Sequence, residues 1–214
     1  MIKKLLLLLM VISAGYTQPV APVRIHYGGG GDWYGNKTTW RNILNRVKQE
    51  FNIDVATREV AYRITDAEFF QYPFAYMAGH GNIRFSDEEA RLLRKYLTSG
   101  GFLFADDDYG MDASFRREMK KVFPELNFVE LPFSHPIYHI YYQFNNGLPK
   151  VHEHAGGPPK GFGLIYEGRL VCFYSWNTDI SDGCEDPEIH GDPAEIREQA
   201  LKMAVNIFIY GLLN

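Results

Sequence analysis

The sequence has only two cysteines, Cys172 and Cys184, among its 214 residues. Cys172 lies in an apolar stretch and Cys184 in a polar one, so a disulfide between them is an open alternative and not the favoured interpretation. Cys172 is expected to be a small buried apolar residue.

Basic residues are not in excess. The chain has 22 lysines and arginines against 26 aspartates and glutamates, a formal net charge of −4, and no basic cluster. Because proteins that bind nucleic acid usually present a basic surface, nucleic acid is not an expected partner.

Complete catalytic motifs are also missing. The sequence has no G-x-S-x-G nucleophile elbow, no G-x-x-x-x-G-K-[ST] loop and no H-E-x-x-H zinc motif. Whether the protein is an enzyme, and which cofactor it uses, is therefore undetermined at this level.

The first 17 residues have the composition of a signal peptide. Lys3 and Lys4 precede the apolar stretch 5–12, which is too short to span a bilayer, and small residues follow at 13–15. We predict that the mature protein is exported, to a periplasm or beyond, without a transmembrane segment. The oligomeric state is not indicated.

The rest of the chain, 21–214, is predicted to form one α/β domain, since 46% of the residues are hydrophobic and 15% aromatic. Strand-like and helical patterns alternate up to residue 130, which predicts a three-layer fold: a mostly parallel sheet with helices on both faces. The predicted strands are 23–27, 53–57, 74–78, 102–105 and 127–130, and the predicted helices are 38–51, 65–70, 86–100 and 114–123.

The C-terminal part departs from this alternation. Residues 131–159 are predicted to be a long loop over the strand ends. A β-hairpin follows at 163–174, and a last helix is expected to begin with Asp192 as its cap and Pro193 at its first position.

Polar or glycine-rich segments follow several predicted strands. The carboxyl ends of parallel strands share one edge, where ligands bind in open α/β sheets. We therefore predict a binding site there, made by residues after the first strand, after the 102–105 strand, in the long loop and after the hairpin: Gly30, Asp32, Trp33, Tyr34, Asp107, Tyr109, His135, Ser175, Asn177 and Asp179.

Three titratable residues at this edge are candidate catalytic groups. His80 can act as an acid or base near neutral pH, and Asp106 and Asp108 share one face of an extended chain. The structural alternative is that His80 only bonds a neighbouring carbonyl group, and that one aspartate caps a helix while the others are solvated.

Histidines form two pairs whose spacing can bind a transition metal: His135 with His139, and His152 with His154. No third ligand has a recognisable spacing, so zinc is an alternative and the metal is unknown. The aromatic residues around the first pair pack the loop or form a stacking platform for a sugar ring.

The stretches GGGGDWYGN, YMAGHGNIRFSDEE, YLTSGGFLFADDDYG and YSWNTDISDGC together resemble a bacterial family of unknown function, number 4159. The resemblance implies a parallel-sheet fold of the class I glutamine-amidotransferase-like (flavodoxin-like) superfamily. It implies no activity, because His80 stands where those amidotransferases have their cysteine nucleophile.

Two functional hypotheses follow. The first is an exported domain that binds a small polar ligand, such as a saccharide, at the carboxyl edge of the sheet. The alternative is a hydrolase, metal-assisted in one version, that uses His80 with Asp106 or Asp108 as acid and base.

Overall fold

A computed structural model describes residues 18–51 and 53–214. The predicted signal peptide, 1–17, lies outside the described residues. The strands are β1 (Pro22–Ile25), β2 (Val60–Tyr62), β3 (Phe74–Gly79), β4 (Phe102–Asp107), β5 (Val129–Glu130), β6 (Lys160–Tyr166) and β7 (Arg169–Trp176). The helices are α1 (Thr39–Phe51), α2 (Asp87–Thr98), α3 (Asp112–Val122), α4 (Ile180–Gly183), α5 (Pro187–His190) and α6 (Ala194–Leu213), with 3₁₀ turns at Ala67–Gln71 and Pro136–Tyr138.

The seven described strands form one sheet in the order β2-β1-β3-β4-β7-β6-β5. The first five strands of this order are parallel, and β6 runs antiparallel to both of its neighbours. This confirms the predicted mostly parallel sheet and the C-terminal hairpin. Because β7 is parallel to β4, the end of the hairpin reaches the same edge as the aspartates of β4.

Side chains of the central strands alternate between two apolar layers, as expected for a strand buried on both faces. Phe102 and Phe104 of β4 pack with α1 and α6, whereas Leu103 and Ala105 pack with α2 and α3. Helices therefore cover both faces of the sheet, and the predicted three-layer fold is confirmed.

The start of α2 follows its sequence signal. Ser86 and Glu89 form a reciprocal capping box, in which each side chain accepts a hydrogen bond from the other residue's backbone N–H. The predicted cap of the last helix is wrong. Helix α6 begins at Ala194 after Pro193, and Asp192 does not cap it because its carboxylate is in contact with His152 instead.

The predicted strand at 53–57 is also wrong. Val55 makes only an isolated bridge with Val20, and the second strand of the sheet is β2, further along the chain. Ile53 and Val55 are apolar because they belong to the core that packs around α1, not because they pair in the sheet. Burial alone does not distinguish these two causes in a sequence. The helix predicted at 65–70 is a 3₁₀ turn.

Both cysteines are buried and unpaired in the part of the chain that the structure describes. Cys172 lies inside β7 in the core, as predicted. Within 18–51 and 53–214, no helix has both the length and the apolar character needed to cross a membrane.

Candidate functional site

A cavity of about 320 Å³ opens at the carboxyl edge of the sheet, beside the ends of β4 and β7. Its walls come from the β4–α3 turn, from the loop before β6 and from the segment after β7. The lining residues are Asp107, Tyr109, Gly110, Asp112, His154, Ala155, Trp176, Asn177 and Asp179. Four of the ten predicted ligand-binding residues meet here: Asp107, Tyr109, Asn177 and Asp179.

Asp107 holds the turn between β4 and α3. Its Oδ1 accepts hydrogen bonds from the backbone N–H groups of Tyr109 (3.1 Å) and Met111 (2.9 Å), and its Oδ2 accepts one from the Tyr174 hydroxyl (2.9 Å). Burial raises the pKa of Asp107, and these hydrogen bonds act in the opposite direction. Asp107 therefore stabilises the turn before α3, but the predicted helix cap is wrong, because the residue at the cap position is Met111 and no side chain caps this helix.

Asp106 and Asp108 are fully buried rather than solvated. Asp106 accepts hydrogen bonds from the Ser175 hydroxyl and from the Ser181 backbone N–H (2.6 Å). Burial nevertheless raises the pKa of Asp106 to about 7. Neither carboxylate oxygen of Asp108 has a hydrogen-bond partner among the described residues.

The environment of Asp108 is strongly acidic. Burial raises its pKa well above the usual range, and the charges of Asp106, Asp182 and Asp179 raise it further. Because the charge of one carboxylate makes ionisation of its neighbour harder, Asp106 and Asp108 titrate together. The predicted proximity of Asp106 and Asp108 is present in the structure.

His152 lies between acidic residues on both sides of its ring. Its Nδ1 is 3.0 Å from Asp179 Oδ2 and 3.4 Å from Asp182 Oδ2, and its Nε2 is 3.1 Å from Asp192 Oδ1. Hydrogen bonds with Asp179 and Asp182 raise the pKa of His152 to about 10. His154 contacts Asp179 through Nε2.

Backbone strain is concentrated around the cavity. Five described residues other than glycine have a positive φ, and three of them line it: Tyr109 (96°), Asn177 (60°) and Asp179 (61°). Such conformations cost free energy and are retained where the surrounding structure imposes them, frequently at functional sites. Lys150 Nζ holds Asn177 in place by donating hydrogen bonds to the Asn177 carbonyl oxygen (3.0 Å) and to Asn177 Oδ1 (2.6 Å).

His80 lies at the same edge, after β3, but its partner is Asp32. Asp32 Oδ2 is 3.0 Å from His80 Nδ1, and Asp32 Oδ1 accepts a hydrogen bond from the His80 backbone N–H (2.5 Å). Partial burial opposes ionisation of Asp32, yet these hydrogen bonds lower its pKa. No hydrogen bond joins His80 to Asp106 or Asp108 among the described contacts.

The other predicted residues lie elsewhere. Trp33 stacks on His26 (centroid separation 3.9 Å) and, with Tyr34, lines a separate open groove near Arg24. Gly30 is in an exposed loop with a φ of 88°. His135 accepts a hydrogen bond from the Ile137 backbone N–H through Nδ1 (3.3 Å), which caps a 3₁₀ turn, and does not join His152 and His154.

Several residues of this site are not marked by any of the sequence patterns. Asp112 and Trp176 line the cavity, and Asp182, His190 and Asp192 surround His152. The only local signal was the position of Trp176 at the end of an apolar strand. Asp112 is the first residue of α3. The others lie in the polar segment after β7 or at the residue before Pro193, where nothing in the sequence marks them.

These observations define an α/β protein with a mostly parallel sheet and a cavity lined by carboxylate and aromatic side chains at the carboxyl edge of that sheet. The family model described as "Domain of unknown function (DUF4159)" matches residues 22–212, and the chain belongs to this family. A search of curated proteins finds no match.

Proposed function

We propose that the cavity binds a small, hydroxyl-bearing ligand such as a saccharide. The observation that carries this proposal is the convergence of aromatic and carboxylate side chains from three separate chain segments on one cavity with a strained backbone. Its volume of about 320 Å³ lies at the lower end of the usual range for small-molecule sites.

The charge of the residues that line the cavity indicates which chemical class of ligand it binds. Three aspartates, Asp107, Asp112 and Asp179, line the cavity, and no lysine or arginine is among the described lining residues. A phosphate or carboxylate ligand would be repelled by these charges. A neutral polyol instead offers hydroxyl donors to acceptors such as Asp112, whose Oδ1 already accepts a hydrogen bond from Arg116 (2.6 Å).

Two aromatic residues favour a ring-shaped ligand. The Tyr109 side chain is 56% exposed and stacks on His154 with a centroid separation of 4.9 Å, and Trp176 lines the same cavity. A sugar ring has one apolar face, which packs on an aromatic ring while its hydroxyl groups bond polar side chains.

The test is a calorimetric titration of the full chain with a panel of monosaccharides and disaccharides, with inorganic phosphate as the anionic probe. We expect one saccharide class to bind and phosphate not to bind. Tyr109→Ala is expected to weaken that binding about tenfold, which corresponds to about 1.4 kcal/mol.

Tyr34→Ala is the matched control, because Tyr34 is a tyrosine of similar exposure (59%) that lies in the separate groove near Arg24. It should leave the affinity unchanged. If no saccharide bound, or if the two variants weakened binding equally, the cavity would not be the ligand site.

A second candidate is hydrolase activity centred on His80. The observation that favours it is the Asp32–His80 pair, which resembles the carboxylate that orients a general base. The loops that carry this pair follow β1 and β3, between which the strand order reverses, and ligands bind at such positions. The pairing of His80 with Asp106 or Asp108 stays a prediction.

This alternative is tested with chromogenic ester, glycoside and phosphate-ester substrates, each with and without added divalent metal. We expect His80→Ala to abolish turnover and His139→Ala, a histidine of the 131–159 loop, to retain it. Equal turnover in wild type and His80→Ala would remove this candidate.

We further propose that 21–214 is a single domain of the class I glutamine-amidotransferase-like superfamily. The parallel strands support this, because they follow the order 2-1-3-4-5 when β7 is counted as the fifth parallel strand, which is the order of flavodoxin-like folds. Limited proteolysis should leave a resistant fragment that begins near residue 21.

We also propose export through the leader, to a periplasm or beyond, supported by the two lysines and short apolar stretch of the sequence. N-terminal sequencing of the protein recovered from cell fractions tests this. A mature terminus near residue 18 in an extracytoplasmic fraction is expected, and an intact Met1 in the cytoplasm would contradict the proposal.

A further inference from the structure

One cluster of side chains has the composition of a metal site, and two of its members, His154 and Asp179, also line the cavity proposed for the ligand. We propose that His152, His154, Asp179 and Asp182 bind a single divalent transition-metal ion of the zinc type at the inner end of the cavity. The inference does not depend on the saccharide proposal, because the donor atoms are brought together without any ligand.

The donor atoms are already close to one another. The ligand atoms of His152, His154 and Asp179 all lie within 4.8 Å of one another. His152 Nδ1 is 3.0 Å from Asp179 Oδ2 and 3.4 Å from Asp182 Oδ2, which are separations of the size found between two ligands of one ion. The donors of His152, His154 and Asp179 already form one group, and Asp182, which faces the same His152 Nδ1, would join them after a side-chain movement.

Asp192 orients the central ligand. Its carboxylate oxygens lie 3.1 and 3.2 Å from His152 Nε2, so Nε2–H donates to Asp192 and Nδ1 faces Asp179. Metal-bound histidines usually have such a carboxylate on the other ring nitrogen, which selects the tautomer and the ring orientation. Asp192 is therefore a positioning residue.

Buried oxygen atoms without hydrogen-bond partners are an independent sign of a cation site. Asp179 is fully buried, and its Oδ1 has no hydrogen-bond partner among the described residues. Asp108 is also fully buried and interacts with Asp179 and Asp182. Neither of its carboxylate oxygens has a hydrogen-bond partner among the described residues. Buried carboxylates are normally hydrogen-bonded, paired with a cation or bound to a metal.

The donor types select the class of ion. Two imidazoles with carboxylates suit Zn²⁺ and its first-row neighbours, whereas Ca²⁺ and Mg²⁺ prefer all-oxygen sites. His190 forms a second possible triad with His152 and Asp182, but its Nε2 is 3.7 Å from Asp182 Oδ1 and 3.0 Å from Glu185 Oε2. His154 and Asp179 line the open cavity, so we assign the ion to their side of His152.

The experiment uses full-length protein purified without a polyhistidine tag, stripped with a chelator and titrated with Zn²⁺ by calorimetry. Co²⁺ serves as a spectroscopic probe, since its visible absorption reports the coordination geometry. We expect one ion per chain. His154→Ala and Asp179→Asn should each weaken Zn²⁺ binding by at least about 100-fold, and Asp192→Asn by roughly 10- to 100-fold.

His139→Ala is the matched control, because His139 contacts Gln143 and the Phe133 carbonyl group, away from the cluster. It should bind Zn²⁺ like the wild type. Circular dichroism of each stripped variant shows whether it is folded. If His154→Ala does not fold, Asp179→Asn decides, because it keeps the shape of the side chain and removes one charged ligand.

Three results would overturn the proposal: no Zn²⁺ binding at millimolar concentration, equal binding by wild type and His154→Ala, or an equal loss in His139→Ala. The saccharide titration of stripped protein is a separate measurement. Zn²⁺ binding without saccharide binding would support the metal site and contradict the proposed ligand. Saccharide binding without Zn²⁺ binding would support the ligand and contradict the metal site.

Discussion

Replacement of Asp108 by asparagine should stabilise the metal-free protein. The substitution keeps the shape of the side chain and removes a carboxyl group that is fully buried and has no hydrogen-bond partner in the described chain. Burial and the nearby charges of Asp106, Asp182 and Asp179 raise the pKa of this group far above its unfolded value of 3.8.

The size of the effect follows from the cost of an unpaired buried charge. In the unfolded chain at neutral pH the carboxyl group is ionised in water, whereas burial and the neighbouring carboxylates make its ionisation unfavourable in the folded protein. An uncompensated charge at a buried position costs about 4 kcal/mol. An asparagine avoids that cost but leaves its amide without partners, which costs about 1–2 kcal/mol. The net gain of about 2–3 kcal/mol corresponds to a rise in Tm of roughly 4–12 °C.

The pH dependence of the free energy of unfolding shows independently whether these buried carboxyl groups destabilise the protein at neutral pH. A carboxyl group with a raised native pKa contributes most stability below its unfolded pKa, because the native state then holds no more protons than the unfolded chain. That contribution is lost as the pH rises through the native pKa, which for Asp106 is about 7. The wild-type free energy of unfolding should therefore fall between about pH 4 and 7.

Urea unfolding at a series of pH values, in the presence of a chelator, measures both effects. In Asp108→Asn the fall with pH should be smaller, because Asp108 no longer contributes to it, whereas Asp106 and Asp107 still do. If the variant were no more stable than wild type at neutral pH and kept the same pH slope, the Asp108 charge would be compensated in the folded state, and the reasoning would be refuted.

Three further predictions concern the fold. Trp40→Ala should cost about 3–5 kcal/mol in urea unfolding, because this ring is fully buried among other aromatic rings. Gly79→Ala should destabilise by about 1–3 kcal/mol and shift the His80 ring signals in NMR spectra, because φ is 136° and a Cβ atom would lie 2.7 Å from Asp32 Oδ1. Cys172 and Cys184 should react with a thiol reagent only after unfolding, since both are buried and burial raises the pKa of each thiol.

Each of these three predictions has an outcome that would contradict it. A Trp40→Ala variant as stable as wild type would place that ring outside the core. Unchanged His80 signals in Gly79→Ala would separate this glycine from the Asp32–His80 pair. Rapid labelling of native protein would show that at least one thiol is accessible.

Much of the architecture could be predicted because its causes are local. The apolar runs of β3 and β4 and the capping box at Ser86 each depend on a few neighbouring residues, and the structure confirms them. The predicted strand at 53–57 failed where a buried position could belong either to the sheet or to the packing around α1. The sequence contains no local feature that separates the two.

The candidate site could likewise be predicted only where its signals are local in the sequence. The glycine-rich and acidic ends of the strands, and the His-x-His spacing of His152 and His154, could be recognised in the sequence. Their partners could not. Asp32 and His80, both expected at this edge, pair with each other, and neither is among the residues that line the cavity with Asp179.

The sequence by itself determined that parallel strands would end in polar segments at one edge, because hydrophobic pattern and turn residues act over short distances along the chain. Only the tertiary structure decided which side chains meet there. His152 contacts Asp179 and Asp192, which are 27 and 40 residues away in sequence, and Asp106 meets Ser175 across 69 residues. Such contacts depend on how the 131–159 loop and the segment after β7 fold back over the sheet, and no periodicity in the sequence describes that path.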